Sequence, residues 1–218
     1  MDLGMDVPLT ASYISPYLVP LTVQDNQVVV SVSARHIHLT EEHLAELFGH
    51  GYQLTPLKDL SQPGQYAAKE TLKVIGPKGM LEEVRILGPT RPQSQVELAR
   101  TDAYQLGVQP PVRDSGDTKK TPGIVLVGPK GALNLDRGVI LAAAHIHMPP
   151  EDAERLDLTD GDRVQVLLEG ERSIIYNNVL VRVHPQFALE MHVDTDEGNA
   201  ALLSSQNVGF VLAKKLLM

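Results

Sequence analysis

Val28-Val29-Val30-Ser31-Val32-Ser33-Ala34-Arg35-His36-Ile37-His38 alternates small apolar and polar side chains and reads as a strand. If that strand stays regular, Val28, Val30, Val32, Ala34, His36 and His38 share one face. Thr40-Glu41-Glu42-His43 then opens a short helix, with Thr40 as N-cap and both glutamates near its positive end. Leu44, Leu47 and Phe48 form its apolar stripe, and Gly49 ends it. A second copy lies 109 residues on, where Gly138-Val139-Ile140-Leu141-Ala142-Ala143-Ala144-His145-Ile146-His147 again reads as a strand. Met148-Pro149-Pro150-Glu151-Asp152 enters its helix, proline being tolerated in a first turn. Ala153 and Leu156 repeat the positions of Leu44 and Leu47, and Leu158 to Val164 turns into a further strand.

Other fragments echo. Val74-Ile75-Gly76-Pro77-Lys78-Gly79 resembles Leu126-Val127-Gly128-Pro129-Lys130-Gly131, each a strand running into a Gly-Pro turn. Val84-Arg85-Ile86 resembles Val181-Arg182-Val183. The pattern predicts a mainly β fold with short capping helices: two small β-barrels from an internal duplication, with a cleft between them. Polar, turn-rich Arg113 to Lys120 marks the boundary, giving a first half at 28–118 and a second at 119–218. Residues 1–27, broken by Pro8, Pro16 and Pro20, are expected to form an extended arm.

Composition narrows the chemistry. Among 218 residues there is no Cys, which excludes thiol catalysis, Cys-bound zinc, iron–sulfur clusters and disulfides. The 27 Asp and Glu against 19 Lys and Arg leave a net charge of −8 and no broad basic footprint for nucleic acid. An anionic partner must then be held by a few local cations. No apolar run is long enough for a membrane span, and the first basic residue is Arg35, so a soluble cytoplasmic chain is expected.

A His-x-His on a strand puts both imidazoles on one face, roughly 7 Å apart at their backbones. Two such pairs at matching positions of a repeat point to metal ligation. Catalytic zinc usually takes three protein ligands and keeps one position open, so each pair needs a third. Glu97, in Gln95-Val96-Glu97-Leu98, and His192, in Glu190-Met191-His192-Val193-Asp194, are the candidates, and spacing does not assign them. His43, His50 and His184 read as structural. Gly88-Pro89-Thr90-Arg91-Pro92 pins an arginine suited to clamp a phosphate or carboxylate. Lys58 and Arg85 are isolated cations of the kind a phosphorylated cofactor would need.

With these motifs the chain, from about Val28 to its C-terminus, closely resembles the propanediol-utilisation type of phosphotransacylase, the phosphate propanoyltransferase family. The resemblance implies two zinc ions in the cleft. One would be held by His36, His38 and Glu97 with the coenzyme A thiol completing its shell, the other by His145, His147 and His192 with water. It implies that Arg91 meets phosphate and that Ser33, Lys58, Arg85, Leu87, His192 and Asn199 line the coenzyme A site. A homodimer or larger assembly is implied, and in some members an N-terminal helix places the enzyme inside a bacterial microcompartment, which a proline-broken arm does not favour.

The implied reaction takes a short-chain acyl-CoA, propanoyl- or acetyl-CoA, and phosphate to acyl phosphate and coenzyme A. A dianion must be placed, an oxyanion stabilised and a thiolate released, for which Arg91 and two zinc sites are suited. Two other readings compete. A bicupin oxygenase or isomerase would use Glu42 and Glu151, four residues after each His-Ile-His, although both fall on expected helices. A non-catalytic module stapled by zinc would need closed four-ligand sites.

Overall fold

The computed structural model describes residues 18–20, 25–204 and 207–215. In chain order, β1 (Leu18–Pro20), β2 (Gln27–Val32) and β3 (His36–His38) lead to α1 (Glu41–Phe48). Next come β4 (Pro56–Asp59), β5 (Tyr66–Ile75), β6 (Met80–Gly88), β7 (Gln95–Glu97) and α2 (Arg100–Leu106). β8 (Val112–Arg113), β9 (Ile124–Val127), β10 (Ala132–Leu135), β11 (Val139–Ala142) and β12 (His145–Met148) precede α3 (Pro150–Arg155). β13 (Arg163–Leu168), β14 (Ile174–Val183), β15 (Glu190–Val193), α4 (Thr195–Ala200) and β16 (Asn207–Lys215) follow. No helix among the described residues is long and apolar enough to cross a membrane.

The strands form two sheets. In one, β16, β13, β14, β12, β15 and β2 pair in that order and β2 returns to β16, closing a six-strand barrel with β1 added outside. The other runs β10-β9-β5-β6-β3-β7-β11-β8, with β4 on β5, and curls without closing. The mainly β architecture with short helices is therefore present, but one of the two expected barrels is a half-barrel. Alternating burial explains each wall: in β13, Val164, Val166 and Leu168 point inward while their neighbours are half-exposed. Each sheet encloses its own core, one around Ile37, Leu47, Ile86 and Leu126, the other around Ile146, Leu156, Val166 and Val181.

The duplication is clearest at the histidine strands. β3 runs parallel to β6 and antiparallel to β7, as β12 does to β14 and β15. The caps form as their sequences require: Thr40 accepts from the His43 amide, Gly49 ends α1 at φ 105°, and Pro150 opens α3. The two Gly-Pro turns close the β5–β6 and β9–β10 hairpins and dock on helix ends. A Cβ on Gly76 would strike the Leu106 carbonyl of α2, and one on Gly128 the Leu47 carbonyl of α1.

Two sequence expectations change. Val28–Val32 and His36–His38 are separate strands in different sheets, broken at residues 33–35; Ala143 and Ala144 make the same crossing before His145. Only Val28 and Val30 form the buried face of β2, while Val32 is 41% exposed. Apolar alternation continuing into Ala34 conceals the crossing. Each leading strand thus joins the other half's sheet: β2 pairs with β15, and β11 with β7. The sheets consequently do not divide at 118/119, since β8 to β11 belong with β3 to β7. Of the expected arm, Leu18–Pro20 is a strand on β16, and residues 1–17 and 21–24 lie outside the described residues.

Candidate metal and anion cleft

The two His-Ile-His strands face one cleft of about 570 Å³. On the half-barrel side, Glu97 lies directly across the antiparallel ladder from His36. His36 Nε2 and His38 Nε2 are 3.2 Å apart, and Glu97 Oε1 is 3.6 and 3.8 Å from them. Their ligand atoms all lie within 4.8 Å, and among the described residues this is the one group of three such side chains so close. All three are buried.

On the barrel side His192 lies across the ladder from His145 in the matching register. The ring centres of His145, His147 and His192 stand 4.8, 5.0 and 5.3 Å apart. The structure therefore groups Glu97 with the first pair and His192 with the second. The crossings also orient the rings: His36 Nδ1 donates to the Ala34 carbonyl at 2.9 Å and His145 Nδ1 to that of Ala143 at 2.8 Å. Those bonds fix the proton on Nδ1 and leave the Nε2 lone pair for the cleft.

Electrostatics favour a cation there. Burial alone would raise the Glu97 carboxyl, but His36, His38 and Ser115 hold it well below the usual carboxylate range. Burial opposes charging of His36, and Glu97 more than offsets it, so the pair draws positive charge to the point between them. His38 is pushed well down by burial, His36 and Arg91. Burial lowers His145 to about 4, with His192 adding to it, and lowers His147 to about 3, helped by His145 and His192. Imidazole nitrogens and a carboxylate are donors suited to a borderline cation such as zinc. Among the described residues, His38 Nδ1 and His147 Nδ1 are buried with no hydrogen-bond partner, a cost that fits side chains arranged for a further partner, and His192 Nε2 has only the Glu190 carboxylate at 3.2 Å. The donor set fits a divalent metal.

Arg91, Lys58, Arg85, Leu87 and Ser33 all line the same cleft. Among the described residues the Arg91 guanidinium makes only long hydrogen bonds, 3.4 Å to Gln65 Oε1 and 3.5 Å to Ser115 Oγ, which leaves it able to grip an anion. Arg85 donates to the Ala68 and Lys69 carbonyls at 3.1 and 2.8 Å. Asn199 stands apart, exposed on α4 outside the residues that line this cleft. Glu42 and Glu151 are exposed on α1 and α3, away from the histidines, which removes the ligand pattern of a bicupin.

Sequence reasoning misses Arg182, Phe187, Glu190 and Ser115, all on the cleft wall. Arg182 is opposite His147 on the parallel neighbour, with its guanidinium 5.9 Å from the centre of the Phe187 ring. Arg85 is opposite His36, the first histidine of its pair, so the Val-Arg-Ile and Val-Arg-Val echo does not mark equivalent positions. Glu190 is two residues before His192 on one strand face, a signal available in the alternation.

A duplicated β fold that brings two histidine-based donor groups and several arginines to one cleft defines a protein built to hold charged groups there. The family model for phosphate propanoyltransferase matches residues 29–204. A phosphate propanoyltransferase of Thermotoga maritima is 56% identical over 186 residues, 85% of this chain and 89% of its own. Proteins of the same name from Priestia megaterium and Leptotrichia buccalis are 52% identical over 190 residues and 51% over 189, covering 87% and 86% of this chain and 88% and 89% of theirs. The chain belongs to the phosphate propanoyltransferase family and is an acyltransferase.

Proposed function

We propose that the cleft joins inorganic phosphate to the acyl group of propanoyl-CoA or acetyl-CoA, giving acyl phosphate and coenzyme A reversibly. The observation that carries this reading is the meeting of both histidine triads with Arg91 and Arg182 in one cleft. A phosphate oxygen attacks the thioester carbonyl carbon, the C–S bond breaks, and the sulfur leaves as thiolate. With no Cys in the chain, direct attack is simpler than transfer through a thiol.

Arg91 and Arg182 would hold the phosphate dianion from opposite sheets, both by charge-assisted hydrogen bonds. Lys58 and Arg85, at the half-barrel side, suit the phosphates of coenzyme A, with Ser33 and Leu87 beside them. His36, His38 and Glu97 would hold one zinc ion, and His145, His147 and His192 a second. Zinc bound there supplies Lewis acidity for the developing oxyanion and a soft partner for the thiolate. Phe187, against the His147 ring at 4.3 Å, walls the site from water. A homodimer or larger assembly, in the cytoplasm or a microcompartment, belongs to this reading and rests on the family resemblance.

The test is phosphate-dependent thiol release from propanoyl-CoA, with and without a strong chelator, restored by zinc. Dependence on both phosphate and metal supports the reading. A zinc-loaded protein that releases no thiol overturns it and favours the stapled module.

A further inference from the structure

The two triads share a construction that extends one residue beyond their ligands. Two positions before each third ligand, on the same strand face, sits a buried polar side chain opposite the second histidine: Gln95 across from His38, and Glu190 across from His147. Gln95 Nε2 donates to Glu97 Oε1 at 2.6 Å. Glu190 Oε2 lies 3.2 Å from His192 Nε2. The chemistry is inverted to match: an amide donor faces the carboxylate of one triad, and a carboxylate acceptor faces the imidazole of the other.

Both side chains are themselves anchored. The Gly116 amide donates to Gln95 Oε1 at 2.8 Å, and Gln95 Nε2 also reaches Ser115 Oγ at 3.1 Å. Glu190 accepts from the Ser31 and Ser61 hydroxyls and from Gln62 Nε2, the last at 3.2 Å. Ser61 and Gln62 follow β4 of the half-barrel, whereas Glu190 lies in the closed barrel, so this contact spans the cleft. With three donors already on its oxygens, Glu190 is placed to orient a neighbour rather than to ligate.

We infer that Gln95 and Glu190 are matched positioning residues, each fixing the third ligand of its own triad through opposite hydrogen-bond polarity. A carboxylate beside His192 Nε2 favours the proton there and leaves the lone pair on Nδ1. An amide on Glu97 holds one oxygen in place. The inference rests on the metal reading of the triads.

The test inverts polarity without changing shape, using Glu190→Gln and Gln95→Glu in the full chain. Zinc affinity of each site is read by competition with a chromogenic chelator, and total zinc by mass spectrometry. Glu190→Gln is expected to weaken one site by about 10- to 100-fold and leave the other unchanged; Gln95→Glu is expected to do the reverse. Adding His192→Ala to Glu190→Gln should then cost that site little more than His192→Ala alone. Glu190→Asp, which keeps the acceptor, should restore part of the loss and serves if the amide variant folds poorly. Unchanged affinities, loosening of both sites by either variant, or additive losses in the double variant would overturn the inference, as would an unmutated chain that binds no zinc. Two tightly bound zinc ions without thiol release would fail the acyltransferase reading and leave the positioning roles intact.

Discussion

Glu97 stands directly across the β3–β7 ladder from His36, and Oε1 reaches within 3.6 Å of the histidine's Nε2. Because one register places both groups, neither can move without shifting a strand. Glu97→Ala should therefore remove one metal equivalent and lower kcat/KM for phosphate-dependent thiol release at least 100-fold, as expected on losing a Lewis-acid site worth ~3 kcal/mol or more. Full turnover with full metal content would show that the triad is not part of the chemistry.

The arginines make separable contributions. Arg182→Gln is expected to raise the phosphate KM by about 10- to 100-fold, the cost of a charge-assisted hydrogen bond of roughly 1.5–3 kcal/mol, while the acyl-CoA KM moves less than about twofold. Steady-state kinetics with each substrate varied in turn checks this. A rise confined to acyl-CoA would place Arg182 on the coenzyme A side instead.

Gly128 tests the hairpin docking. Its alanine variant pushes a Cβ into the Leu47 carbonyl of α1 and should destabilise the fold by about 1–3 kcal/mol, read as a lower urea midpoint at constant slope. A neutral result would mean that the turn moves freely on the helix.

A pH effect separates the two halves. Burial, followed by Asp194 and Asp196, raises Glu197 to about 7 from an ordinary 4.5. Asp102, at the corresponding position in α2, has Arg35 at 2.6 Å, whereas the residue before His145 is Ala144. A carboxyl whose folded pKa is raised holds more protons folded than unfolded across that window. Stability is thus lost as pH rises from about 4.5 to about 7, by on the order of 2–3 kcal/mol. Glu197→Gln should flatten this slope in urea titrations across that range, and an unchanged slope would refute the assignment.

Much of this is legible in the residues. The paired His-Ile-His strands announce themselves because ligands two apart share a face, and Thr40, Gly49 and Pro150 mark helix ends by local chemistry alone. What escapes is what depends on pairing between strands. Val32-Ser33-Ala34 keeps an apolar alternation through a change of sheet, so the crossing leaves no local trace. The partition of Glu97 and His192 is set by ladder register, which is absent from spacing. Arg182 is hidden because its sequence echo of Arg85 is out of step with the ladders, which place the two arginines opposite different histidines of their pairs. Glu190 becomes meaningful only when Ser61 and Gln62 arrive from another sheet.

The exchange of β2 and β11 has a mechanical consequence. The chain passes between sheets immediately before His36 and immediately before His145, so relative rotation of the two bodies has its pivots beside the histidines. Segments at a pivot travel least, and those farthest from it travel most. Rotation about these pivots would displace β4, with Lys58, more than the imidazoles, and would strain the Ser61–Glu190 contact across the cleft.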